Sequence, residues 1–288
     1  MKISDACNHK KSLSFEIFPP KKDSELKNID ATLDVLCELQ PDFISVTFGA
    51  GGSLNCNRTI ELAKKIKQNY HVEPVVHLTC LNYNRAEIDE FARILTEEGI
   101  QNVLALRGDR NPDLTEKDDF KHASDLISYL KPKGDFCFLG ACYPECHPEA
   151  ESLQKDIENL KIKVDSGVDF LVTQMFFDNN VMYSFLYRAL KAGIDVPVIA
   201  GVMPVINAKQ IKRSCALSQT SLPPRFRRMM DRFIDDPEAL KQAGIAYATE
   251  QIIDLISNGV SGIHIYTMNK PEVAGKIMEN LSSVLSAR

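Results

Sequence analysis

One carboxylate stands in an apolar setting near the start of the sequence. Glu16 is flanked by Phe15, Ile17 and Phe18 within the apolar run at 14–18. A charged carboxylate in a buried strand is costly unless it is paired, and burial favours its neutral form. Glu16 is therefore predicted to act as a general acid near neutral pH. The alternatives are a structural ion pair with an interior Arg or Lys, and a side chain that faces outward beneath a helix.

Further polar residues stand in or at the ends of other apolar runs. Arg107, Gly108 and Asp109 are expected to end one strand, and His77 and Gln174 to end two others. The amide of Gln174 both donates and accepts hydrogen bonds, which suits recognition of a heterocycle edge. Each also has a structural interpretation: Asp109 as a turn or helix-capping residue, His77 as a hydrogen-bonded core histidine, and Gln174 as an interior amide.

Familiar metal and nucleotide motifs are incomplete. Cys142, Cys146 and His147 have C-x3-C-H spacing, but no second pair follows to complete a zinc site. Glu149 stands where a CxxxCxxC iron–sulfur motif needs its third cysteine. The sequence also has neither a Walker A motif nor a G-x-S-x-G nucleophile elbow. No metal is expected, and ATP-dependent and serine hydrolase chemistry lack their usual support.

Eight apolar runs predict the strands that must position these residues, at 14–18, 42–48, 74–80, 102–108, 136–143, 169–177, 196–203 and 261–268. Segments with apolar residues three and four apart lie between the runs and predict amphipathic helices. Strict alternation of strand and helix indicates parallel strands joined by right-handed crossovers. The sequence therefore predicts an α/β fold, a single (β/α)8 TIM barrel, with extra helices in the crossover between strands 7 and 8. The polar residues should then meet at the carboxyl ends of the strands.

Composition excludes several classes of protein. The 288 residues are 44% hydrophobic and 25% charged, as in a globular protein with a sizeable core. A formal net charge of −5 with interspersed signs offers no basic stripe for nucleic acid. No run of 18 or more apolar residues predicts a membrane span. Eight cysteines are too sparse for a disulfide scaffold, so reduced thiols and a cytoplasmic location are expected.

Eight motifs in order resemble the methylenetetrahydrofolate reductase family and cover nearly the whole chain: SFEIFPP (14–20), VTFGAGGS (46–53), HLTC (77–80), LALRGD (104–109), HASDL (122–126), YPECHPEA (143–150), TQMFFD (173–178) and IHIYTMN (263–269). The resemblance implies reduction of methylenetetrahydrofolate to methyltetrahydrofolate, in one-carbon and methionine metabolism. Hydride would pass from NADH or NADPH through a bound flavin, FAD or FMN, in a ping-pong sequence. The length resembles the bacterial catalytic form, one barrel domain over residues 1–288 without a C-terminal regulatory domain.

Catalytic and substrate-binding roles are implied by the same resemblance. Glu16 resembles the general acid that assists opening of the folate's five-membered ring to the reactive iminium form. Asp109 resembles the aspartate whose negative charge stabilises that cation. Gln174 would contact the pterin and, in the other half-reaction, the nicotinamide. Lys270 would meet the folate's glutamate tail.

The flavin contacts implied by the resemblance are Thr47, Phe48, Ala50, His77, Arg107, Gly108, Asp109, His122, Ala123, Tyr143, His147, Asp156, Asn159 and Lys163. Arg107 and Lys163 suit the cofactor's phosphates. Asp156, Asn159 and Lys163 recur at three- and four-residue spacing, which places them on one helix face. A solvated helix face is the alternative for this trio.

Three positions depart from the family pattern. Ser214 stands where relatives often carry an aromatic that stacks on substrate, His122 replaces a tyrosine, and Lys270 replaces an arginine of some relatives. Two other functions stay open: a flavin-bearing subunit that takes electrons from a partner protein, and a non-redox, folate-binding methyltransferase barrel. Small-molecule substrates and a homo-oligomer are expected, with no nucleic acid or membrane partner.

Overall fold

Eight parallel strands form a closed barrel in which each strand pairs with the next and the last pairs with the first. A computed structural model describes residues 1–7, 11–20, 26–48, 56–110 and 115–286. The strands are β1 (Ser12–Ile17), β2 (Phe43–Val46), β3 (Glu73–Thr79), β4 (Asn102–Leu106), β5 (Cys137–Cys142), β6 (Phe170–Thr173), β7 (Val198–Val202) and β8 (Gly262–Tyr266). Each predicted apolar run overlaps one strand, so the predicted (β/α)8 barrel is confirmed.

Helices follow every strand and enclose the barrel. They are α1 (Ile3–Cys7), α2 (Leu26–Glu38), α3 (Cys56–Asn69), α4 (Arg85–Glu97), α5 (Ala123–Leu130), α6 (Leu153–Asp165), α7 (Asn179–Lys191), α8 (Ala208–Ser218), α9 (Pro224–Arg232), α10 (Pro237–Ser257) and α11 (Pro271–Ser286). Local capping fixes several of their ends. Asn84 and Glu87 form a capping box at the start of α4, and Gly99 and Gly259 follow α4 and α10 with φ of 64° and 79°.

The barrel interior divides into an apolar floor and a polar upper layer. Alternate side chains of a strand face the same side, so inward positions recur every second residue. Nine buried apolar side chains form the floor cluster: Ile3, Phe43, Val75, Leu104, Cys137, Leu139, Phe170, Val172 and Ile199. Ile3 belongs to α1, and its backbone N–H donates to Oδ1 of Asn102 at the start of β4. The helix α1 therefore closes the amino-terminal end of the barrel.

Three helices, α8 to α10, lie in the crossover between β7 and β8, as predicted. They pack on the segment that follows β6, where Met175 and Phe177 are buried against them. Phe177 stacks on Phe226 of α9 with ring centroids 4.7 Å apart. Among the described helices, none has the length and apolar character needed to cross a membrane.

Candidate active site

A cavity of about 770 Å³ opens at the carboxyl ends of the strands. This volume falls in the range of pockets that hold cofactors and small substrates. Fifteen of the predicted site residues line it: Glu16, Thr47, Phe48, His77, Arg107, Gly108, Asp109, His122, Ala123, Tyr143, His147, Asp156, Asn159, Lys163 and Gln174. Ala50 lies outside the described residues. Lys270 is exposed and is not one of the described residues that line the cavity.

Glu16 lies in the cavity wall with only 9% of its surface exposed. Its Oε2 is 3.5 Å from Nε2 of His77 and 3.9 Å from Nε2 of His264. The hydroxyl of Thr267, just after β8, donates to the carbonyl oxygen of Glu16 at 2.6 Å and holds the backbone there. The outward-facing interpretation is therefore wrong. The titratable side chains within 4 Å of the carboxylate in the described structure are two imidazoles, not the Lys or Arg of the other alternative.

His264 is a site residue that the sequence reasoning missed. It is 2% exposed, its Nδ1 lies 2.8 Å from Oγ of Ser14, and its Nε2 lies 3.3 Å from Oγ of Ser45. The ring also stacks on Phe43, with centroids 5.9 Å apart. The signal was available in the alternation of β8, since His264 is two residues before Tyr266 and shares its inward face.

His77 faces the cavity from within β3, two residues before the strand ends, and not at its end as expected. Burial disfavours the imidazolium and lowers the pKa of His77 to about 4, so the ring is neutral at physiological pH. Within the described residues, Nε2 of His77 and Oγ1 of Thr47 have no hydrogen-bond partner, although both atoms are buried. On its Nε2 side, His77 is therefore not a hydrogen-bonded core histidine. Buried polar atoms are rarely left unpaired, so both atoms have the capacity for a further hydrogen bond at this wall.

A tight turn after β4 presents Asp109 to the cavity. Gly108 has φ of 92°, a backbone conformation that residues other than glycine rarely adopt. A Cβ added to it would lie 3.1 Å from Cβ of Thr79. The carbonyl oxygen of Arg107 accepts from the N–H groups of Cys80 and Leu81 at 3.2 and 2.9 Å. The turn is therefore fixed to the segment after β3. Asp109 caps no helix here, because the next described helix, α5, begins after its N-cap residue His122.

The guanidinium of Arg107 forms a bidentate pair with Glu149. Nη1 and Nη2 donate to the two carboxylate oxygens at 2.7 and 2.6 Å. This hydrogen bonding raises the pKa of Arg107 and lowers the pKa of Glu149 to about 2, so both groups are charged. Sequence reasoning had considered Glu149 only as a missing cysteine. No spacing rule brings the two residues together, because they follow different strands.

Gln174 is held in one orientation directly after β6. Its backbone N–H donates to the carbonyl of Cys142 at 2.7 Å, and its Oε1 accepts from the N–H of Met175 at 2.8 Å. Tyr143 also lines the cavity, and its pKa is raised mainly by burial. With its oxygen occupied by the backbone, Gln174 presents its NH2 donors toward the cavity.

The face of α6 that carries Asp156, Asn159 and Lys163 also lines the cavity, so the trio is not simply a solvated helix face. Oδ2 of Asp156 accepts from the backbone N–H of His147 at 2.9 Å. Nζ of Lys163 donates to the carbonyl of Ala141 at 2.8 Å, and burial lowers the pKa of that amine.

The cap side of the cavity is formed by Met203 after β7, Ser214 of α8 and Met268 after β8. Ser214 thus lies where its position in the sequence predicted, and the wall carries no aromatic ring at that point. Asn269 fastens this side to the end of β1. Its side chain accepts from the N–H of Phe18 at 2.9 Å and donates to the carbonyl of the same residue at 3.0 Å.

Comparisons with solved structures agree with the fold. A protein of Clostridium thermocellum, described as binding two copies of 5-methyl-5,6,7,8-tetrahydrofolic acid, superposes with a TM-score of 0.65 over 98% of both chains at 14% identity. Tryptophan synthase of Mycobacterium tuberculosis superposes with a TM-score of 0.56 over 96% of both chains, also at 14% identity. At this identity the likeness concerns the barrel architecture alone.

Sequence comparisons are more specific. The 5,10-methylenetetrahydrofolate reductase of Pectobacterium carotovorum is 38% identical over 270 residues, 94% of this chain and 90% of that protein. The enzyme of Escherichia coli K12 shows the same identity and coverage. Methylenetetrahydrofolate reductase (NADH) 1 of Arabidopsis thaliana is 35% identical over 95% of this chain, which spans 48% of the plant protein. A family model described as methylenetetrahydrofolate reductase matches residues 2–282. With a buried carboxyl group in a cofactor-sized cavity, these matches show that the chain belongs to the methylenetetrahydrofolate reductase family of oxidoreductases.

Proposed function

We propose that the protein reduces 5,10-methylenetetrahydrofolate to 5-methyltetrahydrofolate with NADH or NADPH, through a flavin bound in the cavity. The observation that carries this proposal is the buried carboxyl of Glu16 beside a cavity wall with two unpartnered polar atoms, on Thr47 and His77. The carboxyl offers a proton donor, and the wall offers hydrogen bonds to a bound heterocycle. Members of the family at 38% identity carry the name of this activity.

Glu16 would supply the proton that opens the substrate ring. The proton moves from its carboxyl to a nitrogen of the five-membered ring, and the carbon–nitrogen bond breaks with its electrons going to that nitrogen. An iminium cation remains, ready to accept hydride. Burial lowers the pKa of the nearby His77 to about 4, so its imidazole is neutral at physiological pH and is not itself the acid.

Asp109 and Gln174 would act on the cation and on its orientation. A carboxylate at the cavity rim favours a developing positive charge more strongly in a partly enclosed site than in water. Gln174 can donate its NH2 to an acceptor on the pterin, because its oxygen already accepts from Met175. One cavity would serve the folate and the nicotinamide in turn, which requires a ping-pong order.

The cavity wall suits a flavin. Thr47 and His77 supply unpartnered buried atoms, and Ala123 begins a helix at the cavity edge. FAD is the form we propose, because the cavity extends from Glu16 to the α6 face of Asp156 and Lys163. When bound, the flavin would relay hydride between the nicotinamide and the folate.

The decisive experiment separates the two half-reactions of Glu16→Gln under anaerobic conditions. Loss of the yellow flavin absorbance on adding NADH or NADPH measures the first half-reaction, and its return on adding methylenetetrahydrofolate measures the second. We expect the first to keep its wild-type rate, since no proton from Glu16 is needed there. The second should slow by about 10²-fold or more, the usual contribution of a general acid.

Glu73→Gln is the matched control, because Glu73 begins β3 at the opposite end of the barrel and pairs with Lys67. It should leave both half-reactions unchanged. Equal slowing of both half-reactions in Glu16→Gln would remove Glu16 from the acid role. A yellow protein that neither nucleotide reduces would favour a subunit with a protein electron donor, and a colourless protein that binds folate would favour a non-redox barrel.

A further inference from the structure

Both cations that line the described part of the cavity already hold protein partners. The two terminal nitrogens of Arg107 donate to the two oxygens of Glu149, and its Nε donates to the carbonyl of Gly108 at 3.2 Å. The amine of Lys163 is bound to the carbonyl of Ala141. An anionic ligand that enters therefore meets an arginine whose fork is filled by a carboxylate. A phosphate group would bind to the same two guanidinium nitrogens.

The two partners of this pair differ in how firmly they are held. The side chain of Arg107 is 21% exposed and that of Glu149 is 51% exposed. The backbone of Arg107 is bound to the segment after β3 through two hydrogen bonds at its carbonyl oxygen. Glu149 lies in the loop between β5 and α6, and its backbone N–H donates to Nδ1 of His147 at 3.1 Å. Glu149 is thus the more exposed partner, and a guanidinium that loses the carboxylate keeps the bond from its Nε to the carbonyl of Gly108.

We propose that Glu149 is a built-in competitor for an anion site at Arg107. Its carboxylate fills the guanidinium fork until the phosphate of a dinucleotide, either the flavin's or the nicotinamide donor's, displaces it. The identity of that ligand rests on the proposed function. The anion site occupied by Glu149 rests on the geometry of the Arg107–Glu149 pair. Glu149 therefore weakens the binding of phosphate-bearing ligands and leaves uncharged ligands unaffected.

Calorimetric titration of the full chain, stripped of flavin, with inorganic pyrophosphate tests the competition at fixed ionic strength. Glu149→Gln keeps the size of the side chain and removes its charge, and we expect it to bind pyrophosphate about three- to tenfold more tightly than the wild type. Arg107→Gln removes the fork, so the gain should vanish when both substitutions are combined.

Glu151→Gln is the matched control for charge alone, because Glu151 is exposed and lies two residues farther along the same loop. Its affinity for pyrophosphate should stay within about twofold of the wild type, since a solvated charge is screened. Unchanged or weaker binding by Glu149→Gln would overturn the proposal. An equal gain in pyrophosphate affinity for Glu151→Gln would also overturn it, because the change in net charge alone would then explain the effect.

Binding of riboflavin, FMN, FAD and NADH to the same variants identifies which phosphate is involved. A gain for FMN and FAD without a gain for riboflavin assigns the site to the flavin, and a gain for NADH alone assigns it to the electron donor. An equal gain for riboflavin would contradict competition for an anion. If no flavin binds at all, the proposed function fails, while the pyrophosphate comparison still decides the role of Glu149.

Discussion

The surroundings of the Glu16 carboxyl are formed by residues on three other strands. His77 and His264 approach its carboxyl from β3 and β8, and Ser14 and Ser45 hold the ring of His264 from β1 and β2. A polar layer of this kind is stable only because most of its members are paired with one another. The exceptions are His77 and Thr47, which line the cavity and would complete the network with the proposed flavin.

The buried ring of His77 should make stability depend on pH in a defined window. Its pKa is about 4 in the folded protein and 6.5 in its ordinary state, so between these values the unfolded chain binds a proton that the folded chain excludes. The free energy of unfolding therefore falls as the pH is lowered from 6.5 to 4, by about 3 kcal/mol for this group. Urea denaturation of His77→Asn across this range should show a correspondingly shallower pH dependence than the wild type.

His71→Asn provides the reference for that measurement. His71 is exposed and has φ of 56°, a conformation that asparagine also tolerates. Its pH dependence should match that of the wild type. A His77→Asn variant with the wild-type slope would show that the ring is not excluded from protonation by burial.

The helices after β7 determine the cap side of the cavity. α10 lies so close to the segment after β7 that Gly244 is in contact with the backbone of Val205. That segment also carries Met203, which lines the cavity. A glycine in the middle of a long helix normally weakens the helix. Its presence at position 244 therefore indicates that two backbone segments pack closely here.

Two helix glycines give opposite predictions for the same substitution. A Cβ at Gly244 would collide with the carbonyl of Val205, whereas a Cβ at Gly275 in α11 would meet nothing within 4 Å. Gly244→Ala should lower the free energy of unfolding by about 1–3 kcal/mol through overpacking. Gly275→Ala should raise it by about 0.5–1 kcal/mol, because alanine favours the helix.

Denaturant midpoints of both variants check this prediction, and flavin affinity adds a second measurement. Gly244→Ala should also bind flavin more weakly, since displacement of Val205 moves the wall at Met203. Equal effects of the two substitutions on stability would show that helix propensity, and not the contact with Val205, decides the outcome.

The barrel as a whole separates stability from chemistry along its axis. Its amino-terminal end is closed by α1 and by the apolar floor, while its carboxyl-terminal end holds the polar layer and the cavity. This division is general for the fold, because the loops at the carboxyl ends can vary without disturbing the packed floor. Changes to floor residues that do not line the cavity, such as Ile3, should therefore affect unfolding more than catalysis.

Ile3→Ala tests this division. Ile3 is 1% exposed and belongs to the floor cluster, so its truncation should cost about 2–4 kcal/mol of unfolding free energy. Val35→Ala on the surface of α2, where Val35 is 38% exposed, should cost about 0.5 kcal/mol or less. Activity at low temperature should remain near the wild-type value in both. A larger loss of activity than of stability in Ile3→Ala would contradict the separation.

Much of the fold and part of the site could be predicted because they depend on local patterns. Strand and helix periodicity located every strand, and the position of Glu16 in an apolar run indicated a buried carboxyl. The same periodicity could have identified His264, which shares the inward face of β8 with Tyr266. Strand ends were predicted less well. His77 was expected at the end of β3 but lies within that strand.

The sequence by itself determined the (β/α)8 order, the family and the residue types available at the strand ends, since each depends on neighbours close in the chain. Only the tertiary structure decided that Glu16 faces His77 and His264, and that Arg107 pairs with Glu149. These partners are brought together by the closure of the barrel, because β8 returns to β1 and the loops after β4 and β5 meet above neighbouring strands. No spacing along the chain records such distances.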